Sequence, residues 1–188
     1  MNKNSKIKVL GLMSGTSMDG LDMCLAQIQI SKNYSFNYEI IKSEYEPFNE
    51  YTKSIIQNAI NGNDVNHAHR YIGKLFYNFS KEHFPCEEMD AIAMHGQTIA
   101  HKDKVMTCQI GDPHFLAQFY KKPVISNFRQ ADIDAGGNGA PLMPFLDWLL
   151  FNSLPDNYIV LNIGGIANIT YISSKIEKND VLGFDTGP

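Results

Sequence analysis

The chain has 188 residues, 44% of them hydrophobic and 19% charged, the make-up of a globular protein with one good core, or one core and the start of another. A net charge of −4 without any basic block gives no support to nucleic acid or a membrane surface as partner. Cys24, Cys86 and Cys108 are scattered, without CxxC spacing, and read as buried or free thiols in a reducing compartment; with neither a signal-type leader nor a bilayer-length apolar span, the expected location is the cytoplasm.

Residues 6–46 predict three antiparallel strands. The run Ile7 to Met13, broken only by Lys8, enters Gly11-Leu-Met-Ser-Gly-Thr-Ser-Met-Asp-Gly-Leu-Asp22, and Leu21, Met23 and Leu25 alternate on the way out. Tyr34, Phe36, Tyr38 and Ile40 alternate with polar residues, the period of a half-buried strand. Asn49 caps a short helix carrying Ile55, Ile56 and Ile60 and stopped by Asn61-Gly62. A longer helix starts at Asp64, with Val65, Ala68, Ile72, Leu75, Phe76 and Phe79 at three- and four-residue steps and Pro85 beyond its end.

Met89 to Met94 is short and nearly all apolar, which predicts an interior strand running out into His95-Gly-Gln-Thr98. A strand Val105 to Ile110 follows; Asp112 and Pro113 then read as N-cap and first residue of a helix over 113–121. Val124 to Phe128 predicts a strand ending at Arg129, and a Gly-rich loop at 134–139 precedes a helix from Pro141 to Phe151. The expected fold is α/β, a mixed sheet flanked by helices over residues 1–152. From 153 the pattern restarts with Tyr158 to Ile163, a Gly164-Gly-Ile-Ala-Asn168 turn, Ile169 to Ile172 and Val181 to Phe184. Three strands without a covering helix cannot bury a core, so 153–188 reads as the opening of an incomplete second unit, prone to self-association or dimer formation through uncovered strands.

The turn within residues 11–22 is rich in glycine and hydroxyl groups. Glycine lets backbone N–H groups converge on an anion and hydroxyls add donors, so a phosphate cradle stands beside the plainer reading of a solvated turn. A Walker A loop is excluded, because no Gly-Lys-Ser/Thr follows and a strand comes next.

Seven motifs occur in order: residues 11–22, His-Gly-Gln-Thr (95–98), Gln-Ile-Gly-Asp (109–112), Asn-Phe-Arg-Gln-Ala-Asp (127–132), Gly-Gly-Asn-Gly-Ala-Pro-Leu (136–142), Leu-Asn-Ile-Gly-Gly-Ile-Ala-Asn (161–168) and Gly-Phe-Asp-Thr-Gly-Pro (183–188). Together they resemble the anhydro-N-acetylmuramic acid kinase family, within the actin/hexokinase/heat-shock-70 ATPase superfamily of RNase H-like domains. The resemblance implies an N-terminal half: a first RNase H-like domain over 1–152 and the start of a truncated second from 153. It further implies an ATP-dependent kinase of peptidoglycan recycling that opens 1,6-anhydro-N-acetylmuramic acid with water and phosphorylates O6. Family members are considerably longer, so a binding fragment without turnover is the alternative.

What the resemblance implies can be carried residue by residue. Gly15, Thr16, Ser17, Met18, Asp19, Gly20, Leu21 and Asp22 match the first ATP-phosphate loop, with Asp19 or Asp22 orienting Mg²⁺ through water. Asp185 matches the general base that activates water at the anomeric carbon; the bland reading is an Asp-led turn. Gln97 and Thr98 fall where sugar hydroxyls or the N-acetyl group bind, and His95 reads more readily as a structural histidine. Arg129 suits the lactyl carboxylate of the sugar, or else a salt bridge to Asp132 or Asp134. Asn138, with Gly139, opens a helix facing the sugar, or simply caps it. His67 and His69 sit too few residues apart on a helix to pair on a metal, and His83, His101 and His114 show no ligand spacing. Trp148, among apolar neighbours, reads as core.

Overall fold

The computed structural model describes residues 6–32, 34–85, 88–173 and 180–187; Cys86 and Pro188 lie outside them. Strands β1 (Ile7–Ser14), β2 (Gly20–Ile30) and β3 (Phe36–Pro47) form the expected antiparallel ribbon, with Met13 opposite Asp22 at the first turn. Helix α1 (Glu50–Ile60) starts where Asn49, extended, accepts the Thr52 N–H on its side chain at 2.8 Å. Helix α2 (Val65–His83) follows Asp64, which takes a left-handed conformation (φ 49°) and makes no side-chain cap. Its stripe Ala68, Ile72 and Phe76 is fully buried. One residue on that stripe is a glycine for a reason: a Cβ on Gly73 would lie 2.4 Å from the Asp112 backbone nitrogen. The His69 side chain is used there too, accepting the Gly111 N–H at 3.2 Å.

Strand β4 (Ala91–Lys102) runs parallel to β1, and its second half forms a hairpin with β5 (Met106–Ile110). After α3 (His114–Tyr120), strand β6 (Val124–Ser126) returns parallel to the first half of β4. The sheet order is β3-β2-β1-β4-β5, with β6 also on β4. This is the mixed α/β arrangement expected of an RNase H-like unit. Leu10, Leu12, Leu21, Met23, Leu25, Ile92 and Met94 pack against Ile56, Ile72, Phe76 and Leu116 of α1, α2 and α3 in one core. Burying eighteen hydrophobic side chains this way, at about 25 cal/mol per Å², dominates the stability of the unit.

Several expected boundaries move, among them the last strand, expected over Val181 to Phe184, which runs on to Gly187 and takes in Asp185. The strand expected to end at Met94 continues through His95-Gly-Gln-Thr98, because β5 supplies a ladder for its second half. The strand expected to reach Phe128 stops at Ser126: Asn127 turns left-handed (φ 62°), and Arg129 lies in helix α4 (Phe128–Asp134) instead of at a strand end. The helix expected at 113 starts at His114, whose N–H donates to the Asp112 carboxylate at 3.0 Å. The last helix, α5 (Met143–Phe151), begins two residues after Pro141, with Pro144 as the proline of its first turn.

Strands β7 (Tyr158–Asn162), β8 (Ala167–Ile172) and β9 (Leu182–Gly187) form a separate antiparallel sheet. Contrary to the expectation of no covering helix, α5 covers one face. Trp148 (8% exposed, core as expected) and Leu149 meet Ile172, with Tyr34, Phe36, Tyr158 and Val160 around them. The Thr170 hydroxyl donates to the buried Asp147 carboxylate at 2.6 Å, tying helix to sheet. The opposite face exposes Ile159, Leu161, Tyr171, Leu182 and Phe184. Among the described residues no helix is long and apolar enough to cross a membrane.

Candidate active site

Ser14 lies on the same face of β1 as Leu10 and Leu12 and is fully buried, so its hydroxyl needs a partner. It donates to Gln97 Oε1 at 2.6 Å. Gln97, 0% exposed, returns its amide N–H groups to the Gly15 carbonyl at 3.0 Å and the Thr98 carbonyl at 3.2 Å. The turn is thus anchored from below. Above, Met18 in a left-handed conformation (φ 54°) closes it by donating to the Gly15 carbonyl at 3.2 Å. Thr16 and Ser17 stay exposed at the tip, whereas Leu21 is core and offers only backbone.

Asp19 accepts the Ser17 hydroxyl at 2.7 Å and the Gly20 N–H at 3.1 Å. The Ser17 hydroxyl holds the Asp19 carboxyl below its usual range. Partial burial and the neighbouring Asp19 charge push Asp22 the other way. Among the described residues no three His, Cys, Asp or Glu side chains group as a metal site.

The second Gly turn comes to the first. A Cβ on Gly165 would stand 3.0 Å from Thr16 Oγ1 and 3.6 Å from the Ser17 nitrogen, so the 15–17 and 164–166 turns approach to side-chain contact. Any side chain at 165 would fill the space between them.

The remaining groups gather along β4, where the register to β1 slips: Leu12 faces Met94 but Ser14 faces Gln97. That is a bulge, with Gly96 left-handed (φ 79°), and four consecutive residues from Met94 to Gln97 are buried. His95, 7% exposed, bonds the Gly96 carbonyl through Nδ1 at 2.8 Å, and its Nε2 accepts Arg129 Nε–H at 3.0 Å. Arg129 Nη1 donates to the Gly139 carbonyl at 2.8 Å. Burial draws the Arg129 guanidinium below its usual value and the nearby Asp185 charge pulls it back; it stays cationic at neutral pH.

Neither salt bridge open to Arg129 in the sequence forms. Asp132 accepts the Gly139 N–H at 2.7 Å, and Asp134 accepts the Gln130 amide at 2.7 Å. Thr98 accepts from Gln109 at 3.3 Å, while Asn138 is exposed and lies ahead of α5, not at its first turn. Asp185 is exposed within β9, opposite Asn168. The structure therefore brings together the two turns, and separately His95, Arg129 and Gly139, with the Asp185 charge acting on the guanidinium. It commits the Gln97 amide to holding the first turn. Ser14 was legible as a polar residue on an apolar face; the His95–Arg129 pair had no local signal.

Burial holds the His95 imidazole below its ordinary value. A depressed folded-state pKa contributes stability that is full above the unfolded value and lost as pH falls through the folded one. Denaturation at roughly pH 7.5 and 5 should therefore show a loss at the lower pH that His95→Gln reduces. An unchanged pH dependence in that variant would remove His95 as its source.

A profile described as anhydro-N-acetylmuramic acid kinase matches residues 7–188. A protein of that name from Bacillus cereus (strain ATCC 14579) is 39% identical over 196 aligned positions, covering 96% of this chain and 50% of its own length. One from Bacillus thuringiensis subsp. konkukian (strain 97-27) is also 39% identical, with 96% and 51% covered. A solved structure titled reductive activator for corrinoid, iron-sulfur protein superposes with TM-score 0.41 at 12% identity, over 100% of this chain and 32% of its own. The chain spans about half the length of the curated relatives it matches. With motif order, fold and a match over nearly every residue in agreement, the chain belongs to the anhydro-N-acetylmuramic acid kinase family.

Proposed function

We propose that this chain forms the first domain, residues 1–152, and the beginning of the second, from 153, of a kinase that couples hydrolytic opening of 1,6-anhydro-N-acetylmuramic acid to phosphorylation of its O6 by ATP. The observation that carries the reading is the half-buried, cationic Arg129 on which the Asp185 charge acts, on the same chain as two facing Gly turns. Asp185 accepts a proton from water as the water oxygen bonds the anomeric carbon. The bond from that carbon to O6 breaks, O6 attacks the γ-phosphorus, and ADP leaves; the products are N-acetylmuramic acid 6-phosphate and ADP. Arg129 binds the lactyl carboxylate, with Thr98, Asn138 and the Gln97 segment on the sugar side. Gly15, Thr16, Ser17 and Gly20 offer donors to the phosphates.

Asp19 and Asp22 suit a hydrated Mg²⁺: both are oxygen donors, and the Asp19 charge that raises Asp22 is one a cation would relieve. When bound, the ion supplies charge neutralisation at the phosphates. A cytoplasmic location and self-association through the bare face of the second sheet belong to the same reading.

The half-length coverage favours a second reading, a fragment that binds but does not turn over. Calorimetric titration with the anhydro sugar and with ATP, beside an assay for the 6-phosphate, separates the two. Sugar and ATP binding with product supports the kinase, binding alone supports the fragment, and preference for an ordinary hexose over the anhydro sugar defeats both.

A further inference from the structure

The orientation of Arg129 has an identifiable cause. A guanidinium offers five donors in a rigid fork. Here Nε is given to His95 and Nη1 to the Gly139 carbonyl, and among the described residues no carboxylate lies within ion-pair distance. An imidazole nitrogen accepts only when it is bare. The Nδ1 contact to the Gly96 carbonyl requires a proton on Nδ1, so Nε2 is the bare nitrogen and its lone pair points at Arg129. The carbonyl on the other side is held as well, since the Gly139 N–H is fixed by Asp132.

The identity of the acceptors matters. A carboxylate in place of His95 would orient Arg129 equally well but neutralise it. A neutral ring and a carbonyl orient the guanidinium without themselves neutralising it. We propose that His95 is a positioning residue: a neutral acceptor that, with the Gly139 carbonyl, clamps Arg129 and thereby sets the preference for a sugar carrying a carboxylate over the same sugar without one. The inference rests on the reading of Arg129 as the partner of the lactyl carboxylate.

The test compares 1,6-anhydro-N-acetylmuramic acid with 1,6-anhydro-N-acetylglucosamine, the same bicyclic sugar without the lactyl ether, by calorimetry on the 188-residue chain. Wild type should prefer the carboxylate by ~10–100-fold, the range of a charge-assisted contact. His95→Leu should bring that ratio within about threefold. His95→Gln, whose amide oxygen can accept from Nε, should restore most of it, a rescue that a merely structural role would not produce selectively. A full preference in His95→Leu overturns the clamp. No preference in wild type overturns the reading of Arg129 instead, and the clamp with it. Should His95→Leu not fold, nitrogen NMR of wild type decides: a coupling across Arg129 Nε–H to His95 Nε2 with the proton on Nδ1 supports the clamp, and a protonated Nε2 defeats it.

Discussion

Replacing Gln97 by leucine is expected to lower the melting temperature by about 5–15 °C, with loss of secondary structure in a single transition. The side chain is wholly enclosed, and among the described residues its amide is the one hydrogen-bond partner of the Ser14 hydroxyl and one of two of the Gly15 carbonyl. Leucine is close in volume, so little cavity forms. What changes is that buried polar groups lose their partners where water does not reach. Each such group costs about 1–3 kcal/mol, and the extra apolar burial offsets about 1 kcal/mol of it, which leaves about 2–4 kcal/mol net. Ser14→Ala combined with Gln97→Leu should recover part of the loss, because deleting both partners of a bond is milder than deleting one. A Gln97→Leu variant within about 0.5 kcal/mol of wild type in denaturant would show that the amide does not anchor the turn. Since the same bonds hold the first Gly turn, nucleotide affinity should fall with stability, and the double variant should not regain it.

The parts of this fold legible in the sequence are those set by neighbours in the chain. The first three strands follow from side chains that alternate every second residue, α1 from Asn49, and the α2 stripe from apolar steps of three and four. Local rules fail where a distant partner decides. Nothing in His-Gly-Gln-Thr alternates, and its strand exists because β5 folds back on it. Asn127 could end a strand or extend it, and its left-handed turn is what carries Arg129 into a helix and onto His95, 34 residues earlier in the chain. Helix α5 reads as apolar all round apart from Asp147, which gives little direction; its cover of β8 is set by packing across the chain. The site divides in the same way. The donor-rich turn was readable from composition, whereas the enclosed Gln97 amide and the approach of Gly165 to Thr16 come only from tertiary structure.

Asp185→Asn should reduce formation of the 6-phosphate by ~10²–10⁴-fold, the usual contribution of a general base, while leaving the fold intact. The measurement can use this chain or a hybrid in which the Bacillus cereus relative supplies the second half. Asn keeps the size and planarity of the side chain, and Asp185 is exposed within β9, so its stability cost should be small. The amide cannot take a proton from water, which removes the step assigned to the carboxylate. Charge acts on binding with the opposite sign. Asp185 counteracts the burial of Arg129, and without it the guanidinium faces an anionic sugar with no competing negative charge. Sugar affinity should therefore hold or improve as turnover collapses, the pattern of an interaction made in the transition state and not in the ground state. A residue that merely started a turn would produce neither change. Turnover within about tenfold of wild type, or sugar binding that weakens in step with turnover, would take the general-base role away from Asp185.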